Sequence, residues 1–150
     1  MSAAAIQPAF APLILNVAIA SKASLRPAWQ QLVGALRHKR WPVRMVSTWV
    51  HELPGPDSNW NREWRASIDE AARADMLVAR VCAEDRADVI VAQIGAALGA
   101  RRQIAILGSH PLLERLADDP LVDFWVPGAA LEAIQCGLRD RGMIAAEATT

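Results

Sequence analysis

Hydrophobic and polar positions follow a rhythm that changes several times along the chain. "LILNVAI" (13–19) is apolar throughout except for Asn16, as expected of a parallel strand buried on both faces. "SLRPAWQQLVGALRHK" follows, with Leu25, Trp29, Leu32 and Leu36 at helical spacing and Ser24 placed to act as N-cap. "VRMVSTWV" (43–50) alternates and predicts a second strand, and "HELPGPDSN" reads as a loop from its two prolines, its glycine and Asp-Ser-Asn. "REWRASIDEAARA" has the pattern of an amphipathic helix and gives way to "DMLVARV", a third strand beginning at Asp75. "DVIVAQIGAALG" (88–99) opens on β-branched residues and continues in alanines. Its length, and the clear strand "QIAILG" (103–108) after it, favour a helix. "LVDFWV" (121–126) predicts a fifth strand and "GAALEAIQCGLRD" a last helix.

Strand and helix thus alternate about five times, which predicts one parallel sheet covered by helices on both faces. Residues 1–11 are small and aperiodic and are expected to be disordered, residues 12–141 to form a single domain, and residues 142–150 to be a flexible tail. In such sheets a ligand sits at the carboxyl ends of the strands, near the point where strand order reverses. Four loops then matter: 20–24, 48–60, 82–88 and 108–111.

Composition narrows the field. The 150 residues suit one domain with a proper core, and the 16 acidic and 16 basic residues balance, so no excess charge points to nucleic acid or to an anionic membrane. The apolar run around residues 8–20 is too short to span a bilayer, and without a signal peptide a reducing cytoplasm is expected. Cys82 and Cys136 lie far apart, and His38, His51 and His110 are scattered, so neither a metal site nor any other cofactor is expected.

Within the four loops, "ASKAS" (20–24) could hold a phosphate through backbone amides, Ser21, Ser24 and Lys22, although it lacks the glycines of a dinucleotide or P-loop motif. Simple capping by Ser24 explains it equally well. Ser109 in "GSH" could offer a hydroxyl to a ligand or merely belong to a turn. Six tryptophans beside two phenylalanines and no tyrosine is an unusual mix. Most such indoles are core, but Trp49, where strand two delivers its loop, is the best placed to stack on a base. Gln93 is the one amide in an otherwise apolar helix, and a buried amide costs about 1–3 kcal/mol unless it finds partners. It must line a cavity or be satisfied by backbone groups.

The order "ILNVAIASK", "VRMVSTW", "WNREWRASIDEAARADMLVARV", "VAQIGAALGARRQIAILG" and "FWV" resembles the nucleoside 2-deoxyribosyltransferase superfamily, which includes 5′-monophosphate N-glycosidases and phage-borne relatives. The resemblance covers most of residues 12–140 and is carried by order and spacing. It implies a single flavodoxin- or Rossmann-like domain and N-glycosidic bond chemistry on (deoxy)nucleosides or their 5′-monophosphates. It also implies a homo-oligomer. In the family a glutamate at the head of a helix attacks the anomeric carbon, and an aspartate on the preceding helix helps protonate the departing base.

The resemblance puts that glutamate at Gln93, whose amide oxygen is a poor nucleophile. It puts the aspartate eight residues before Asp75, at Ser67, with Glu70 roughly 60° away around the helix as a possible substitute or a solvated acidic face. A further polar position falls at Ala87, next to Asp88, which could contact substrate or simply cap the helix. Asp75 itself reads as structural. Three explanations of Gln93 compete: a non-catalytic relative, a carboxylate supplied by Asp69, Glu70, Asp85, Asp88 or a neighbouring subunit, or an engineered trapping variant. Because Ser67 is also lost, the activity is expected to be weak, altered or absent. Ser21, Lys22, Trp49, Asp88 and Ser109 would then hold a nucleoside or nucleotide. A nucleotide sensor and a purely structural α/β subunit are the rival functions.

Overall fold

The uninterrupted apolar runs become the central strands. A computed structural model describes residues 14–51 and 60–145. In chain order it contains β1 (Leu15–Ala20), α1 (Arg26–Lys39), β2 (Val43–Met45), α2 (Thr48–His51), α3 (Trp60–Arg73), β3 (Met76–Val81), α4 (Asp88–Gly99), β4 (Gln103–Gly108), β5 (Val122–Trp125) and α5 (Ala130–Asp140). Short 3-10 segments, Ala23–Leu25 and Pro111–Asp118, precede α1 and β5. The five strands form one all-parallel sheet in the order β2-β1-β3-β4-β5, as the alternation predicts. Strand order reverses between β1 and β3, which makes their carboxyl ends the natural ligand crevice.

Each central strand feeds two cores, because successive side chains point to opposite faces. On one face Ala18, Leu77, Ala79, Ile104 and Ile106 meet Ala71 of α3 and Ile90, Ile94 and Ala97 of α4. On the other, Val17, Ile19, Val78 and Leu107 meet Trp29 and Leu36 of α1 and Ile134 and Leu138 of α5. Burial of each large side chain contributes about 1.5–3 kcal/mol, so the two-sided burial of β1, β3 and β4 dominates the fold. At the amino end, Asp75 fastens β3 to β1: its carboxylate accepts from the Asn16 amide at 2.8 Å, and its own amide donates to the Asn16 carbonyl at 2.8 Å. The structural reading of Asp75 stands on those two bonds.

Three local expectations are corrected. The second strand does not run to residue 50; it ends at Met45, and residues 48–51 turn into α2. The polar Ser47 in the alternation is buried by a hydrogen bond to β1 rather than facing solvent. Ser24 caps no helix: it lies inside the 3-10 segment, and α1 starts at Arg26 with Pro27 in its first turn and no side-chain cap. Nor does Asp88 cap α4, since the N-cap is Ala87 and carries no side-chain bond. The loop expected over 51–59 lies, from residue 52 onward, outside the described residues, as do 1–13 and 146–150. Met143 and Ile144, at the start of the expected tail, pack against the α1/α5 core.

Candidate functional site

The crevice is walled by the segments that leave β1, β2, β3 and β4. After β1, the Ser21 hydroxyl accepts from Trp29 Nε1 at 2.9 Å and donates to the Lys22 carbonyl at 3.1 Å. Lys22 reaches across to the loop after β3 and pairs with Asp85, Nζ to Oδ1 at 3.3 Å. The other Asp85 oxygen accepts from the Cys82 amide at 2.9 Å. That amide is the main reason the Asp85 carboxyl is held below the ordinary aspartate value; Lys22 adds to the effect. In return the Asp85 carboxylate, with Glu84 beside it, pushes the Cys82 thiol up. From the segment after β4, His110 Nε2 donates to the Asp85 carbonyl at 3.1 Å, while Nδ1 accepts from the Leu112 amide at 3.1 Å. Both ring nitrogens therefore have set roles, and three loops are tied together at Asp85.

The loop after β4 can approach so closely because residue 108 is glycine. Its φ is +96°, and a Cβ there would lie 2.1 Å from the Val81 carbonyl oxygen. Only a residue without a side chain fits this turn.

After β2 the backbone is bolted to β1. Ser47, 1 % exposed, accepts from the Ile19 amide at 2.7 Å, and Trp49 Nε1 donates to the Ile19 carbonyl at 3.1 Å. Arg26 donates to the Trp49 carbonyl at 2.7 Å and lies over the indole, 5.9 Å from its centroid. Trp49 is thus half-buried on α2, pinned at its edge and covered on one face by a guanidinium.

Gln93 falls in the second turn of α4, not at its head, and is 3 % exposed. Among the described residues its amide makes no hydrogen bond, yet it is not one of the sealed polar atoms of the interior. The strands beneath this face contribute Ala18, Ala20 and Ala79, where the opposite face has Val17, Ile19 and Val78.

The candidates named from the sequence fall into three groups. Ser67, Glu70, Asp88 and Gln93 sit on α3 and α4, helices that pack against each other over one sheet face. The Ser67 hydroxyl is spent within its own helix, donating to the Trp64 carbonyl at 2.8 Å. Glu70 accepts from the Thr48 amide at 3.3 Å and so joins α3 to α2. Asp88, 80 % exposed, faces Arg86 at 3.9 Å. Asp69, one of the alternative carboxylates, pairs outward with Arg73 at 3.1 Å. Trp49 belongs to the α1/α2 side, and Ser21, Lys22 and Ser109 lie on the crevice loops. Sequence reading gave Asp85 only as one carboxylate among several and His110 only as part of a turn; their junction joins residues 25 and 63 positions apart, which no local pattern signals.

The same architecture occurs in a solved structure, the CMP N-glycosidase BcmB of Clostridium botulinum. The likeness is one of fold. The two chains superpose with a TM-score of 0.54 at 13 % identity, over 81 % of this chain and 98 % of that one. What the two chains share is the fold, the parallel α/β architecture that the order of elements in the sequence predicts. No family profile and no curated protein matches the sequence. No described helix is long and apolar enough to cross a membrane.

Proposed function

We propose that the chain binds a nucleoside or nucleoside 5′-monophosphate in the crevice at the carboxyl ends of β1, β3 and β4, and that cleavage or transfer of its N-glycosidic bond is weak, altered or absent. The observation that carries this is Gln93: a buried amide whose hydrogen-bonding groups find no partner among the described residues. Such a group is costly unless a ligand satisfies it. An amide both donates and accepts, so it suits the hydroxyls of a sugar. It carries no charge to stabilise an oxocarbenium-like transition state and has little nucleophilicity at the anomeric carbon. Lys22 and Ser109 would hold a phosphate or sugar hydroxyl, with Ser21 and Trp49 lining the approach. A purely structural role is the second reading. It is favoured by how fully the other polar groups already satisfy one another: Lys22 with Asp85, Ser21 with Trp29, Trp49 with Ile19.

The test is base release from a panel of nucleosides and 5′-monophosphates, followed by liquid chromatography, beside a thermal-shift binding screen with the same panel. Binding without release supports the proposal, and binding that disappears in Gln93→Leu assigns it to this crevice. Rapid base release by the chain as written would mean that another carboxylate does the chemistry, with Asp85 the first to substitute. No binding of any member would leave the structural reading.

A further inference from the structure

The chain's charge is balanced in total but not along its length. None of the 16 acidic residues precedes Glu52, whereas six of the 16 lysines and arginines do. The unit β1-α1-β2-α2 is therefore uniformly basic, and α1 cannot form acidic-basic pairs within itself. Lys22 is neutralised from outside by Asp85, and Arg26 is committed to Trp49. Arg37 and Arg44, one from α1 and one from β2, have no ion-pair partner among the described residues, and both border a groove of about 410 Å³.

That groove runs between α1 and the outer strand β2, at one side of the sheet. Val33, Leu36 and Met45 line it with apolar side chains, Trp41 contributes a half-buried ring, and His51 is also part of the lining. His51 Nε2 lies 3.2 Å from the Met45 carbonyl, which can only accept, so this nitrogen carries the proton and the ring is held in place. Among the described residues, no acidic side chain lines the groove. Its size falls in the range of small-molecule sites, and its make-up is that of one: mostly apolar walls with a few convergent polar groups.

We propose that this groove is a second binding site, independent of the crevice, for a small organic anion with an apolar body and a carboxylate head. The guanidinium groups of Arg37 and Arg44 supply the donors, since their fork geometry matches a carboxylate. The apolar body lies against Trp41, Leu36 and Met45. A phosphate backbone would find the cations, but it would leave the apolar lining uncovered, so a nucleic acid is the poorer occupant.

The experiment is calorimetric titration of the full chain with 2-naphthoate, with the uncharged 2-naphthamide as its isostere, repeated on the double variant Arg37→Gln/Arg44→Gln. Both arginines are exposed, and an unchanged melting temperature will show that the variant folds. Saturable binding of naphthoate is expected, weaker by roughly tenfold or more for naphthamide and for the double variant. Nucleotide binding, measured on the same variant, is expected to be unaltered. The proposal is overturned by any of four results: no saturable binding, equal binding of the amide, undiminished binding to the double variant, or competition between naphthoate and CMP for one site. Failure of nucleotide binding alone would sink the reading of the crevice and leave this one standing.

Discussion

Replacing Gln93 by glutamate exchanges one NH₂ group for an oxygen and preserves the shape of the side chain. Residue 93 is 3 % exposed and its amide has no hydrogen-bond partner among the described residues, so the introduced carboxylate would lose most of its hydration without gaining donors. Desolvation raises the pKa of a carboxyl group, by up to 3–5 units when burial is complete. Because burial of residue 93 is not complete, a smaller shift of about one to two units applies, worth about 1.4–2.7 kcal/mol at neutral pH. For a chain of this length that lowers the melting temperature by roughly 3–10 °C. The direction with pH follows from the proton count. A carboxyl whose folded value is raised binds its proton more tightly in the folded state, so the penalty is absent below the unfolded value near about 4.3. It grows as pH climbs through the raised value and is complete above it. Calorimetry of both proteins between pH 4 and 8 reads this directly: the two melting curves should converge in acid and separate toward neutrality. Any base release gained by Gln93→Glu should rise over the same interval, as the nucleophilic carboxylate forms. A gap in melting temperature that is flat with pH, or absent throughout, would refute the reasoning, because it would mean that donors already surround this position.

Three further predictions concern the walls of the crevice. Ser47→Ala removes the acceptor of the buried Ile19 amide and should cost about 1–3 kcal/mol, read by urea unfolding. Gly108→Ala forces a side chain to within 2.1 Å of the Val81 carbonyl at a positive φ and should be the most damaging glycine-to-alanine change among the described residues, lowering the melting temperature more than Gly34→Ala, where nothing lies near. Asp85→Asn should speed alkylation of Cys82 at pH 8, followed by peptide mass spectrometry, since the carboxylate holds that thiol up. Because the Asp85 carboxyl is itself held down, its contribution to stability is present above the ordinary aspartate value and lost as pH falls through the folded one, so variant and parent should converge in acid.

What could be read from the sequence and what could not divides along a physical line. β3, β4 and α4 were legible because burial on both sides demands continuous apolar runs, and their lengths separate strand from helix. The end of β2 was not, because Val46, Ser47 and Val50 are each packed inward for reasons that strand alternation imitates. Ser24 looked like a cap, but a 3-10 turn followed by Arg26-Pro27 starts the helix without one. Gln93 stood out as anomalous in composition, and its burial gives that anomaly a physical cost. The Lys22–Asp85–His110 junction was invisible, since each residue is ordinary in its own segment and only the strand order brings them together. The basic first third was equally hidden by a total charge that cancels.

The widths of the sheet's borders carry a consequence for assembly. β2 has three residues and β5 four, against six in each of the three strands between them. So short a margin offers too few free amides and carbonyls for another chain to extend the sheet, a common safeguard against runaway edge-to-edge growth. If copies of this protein associate, they must do so through side chains on helices and loops, where a contact can be closed, specific and finite.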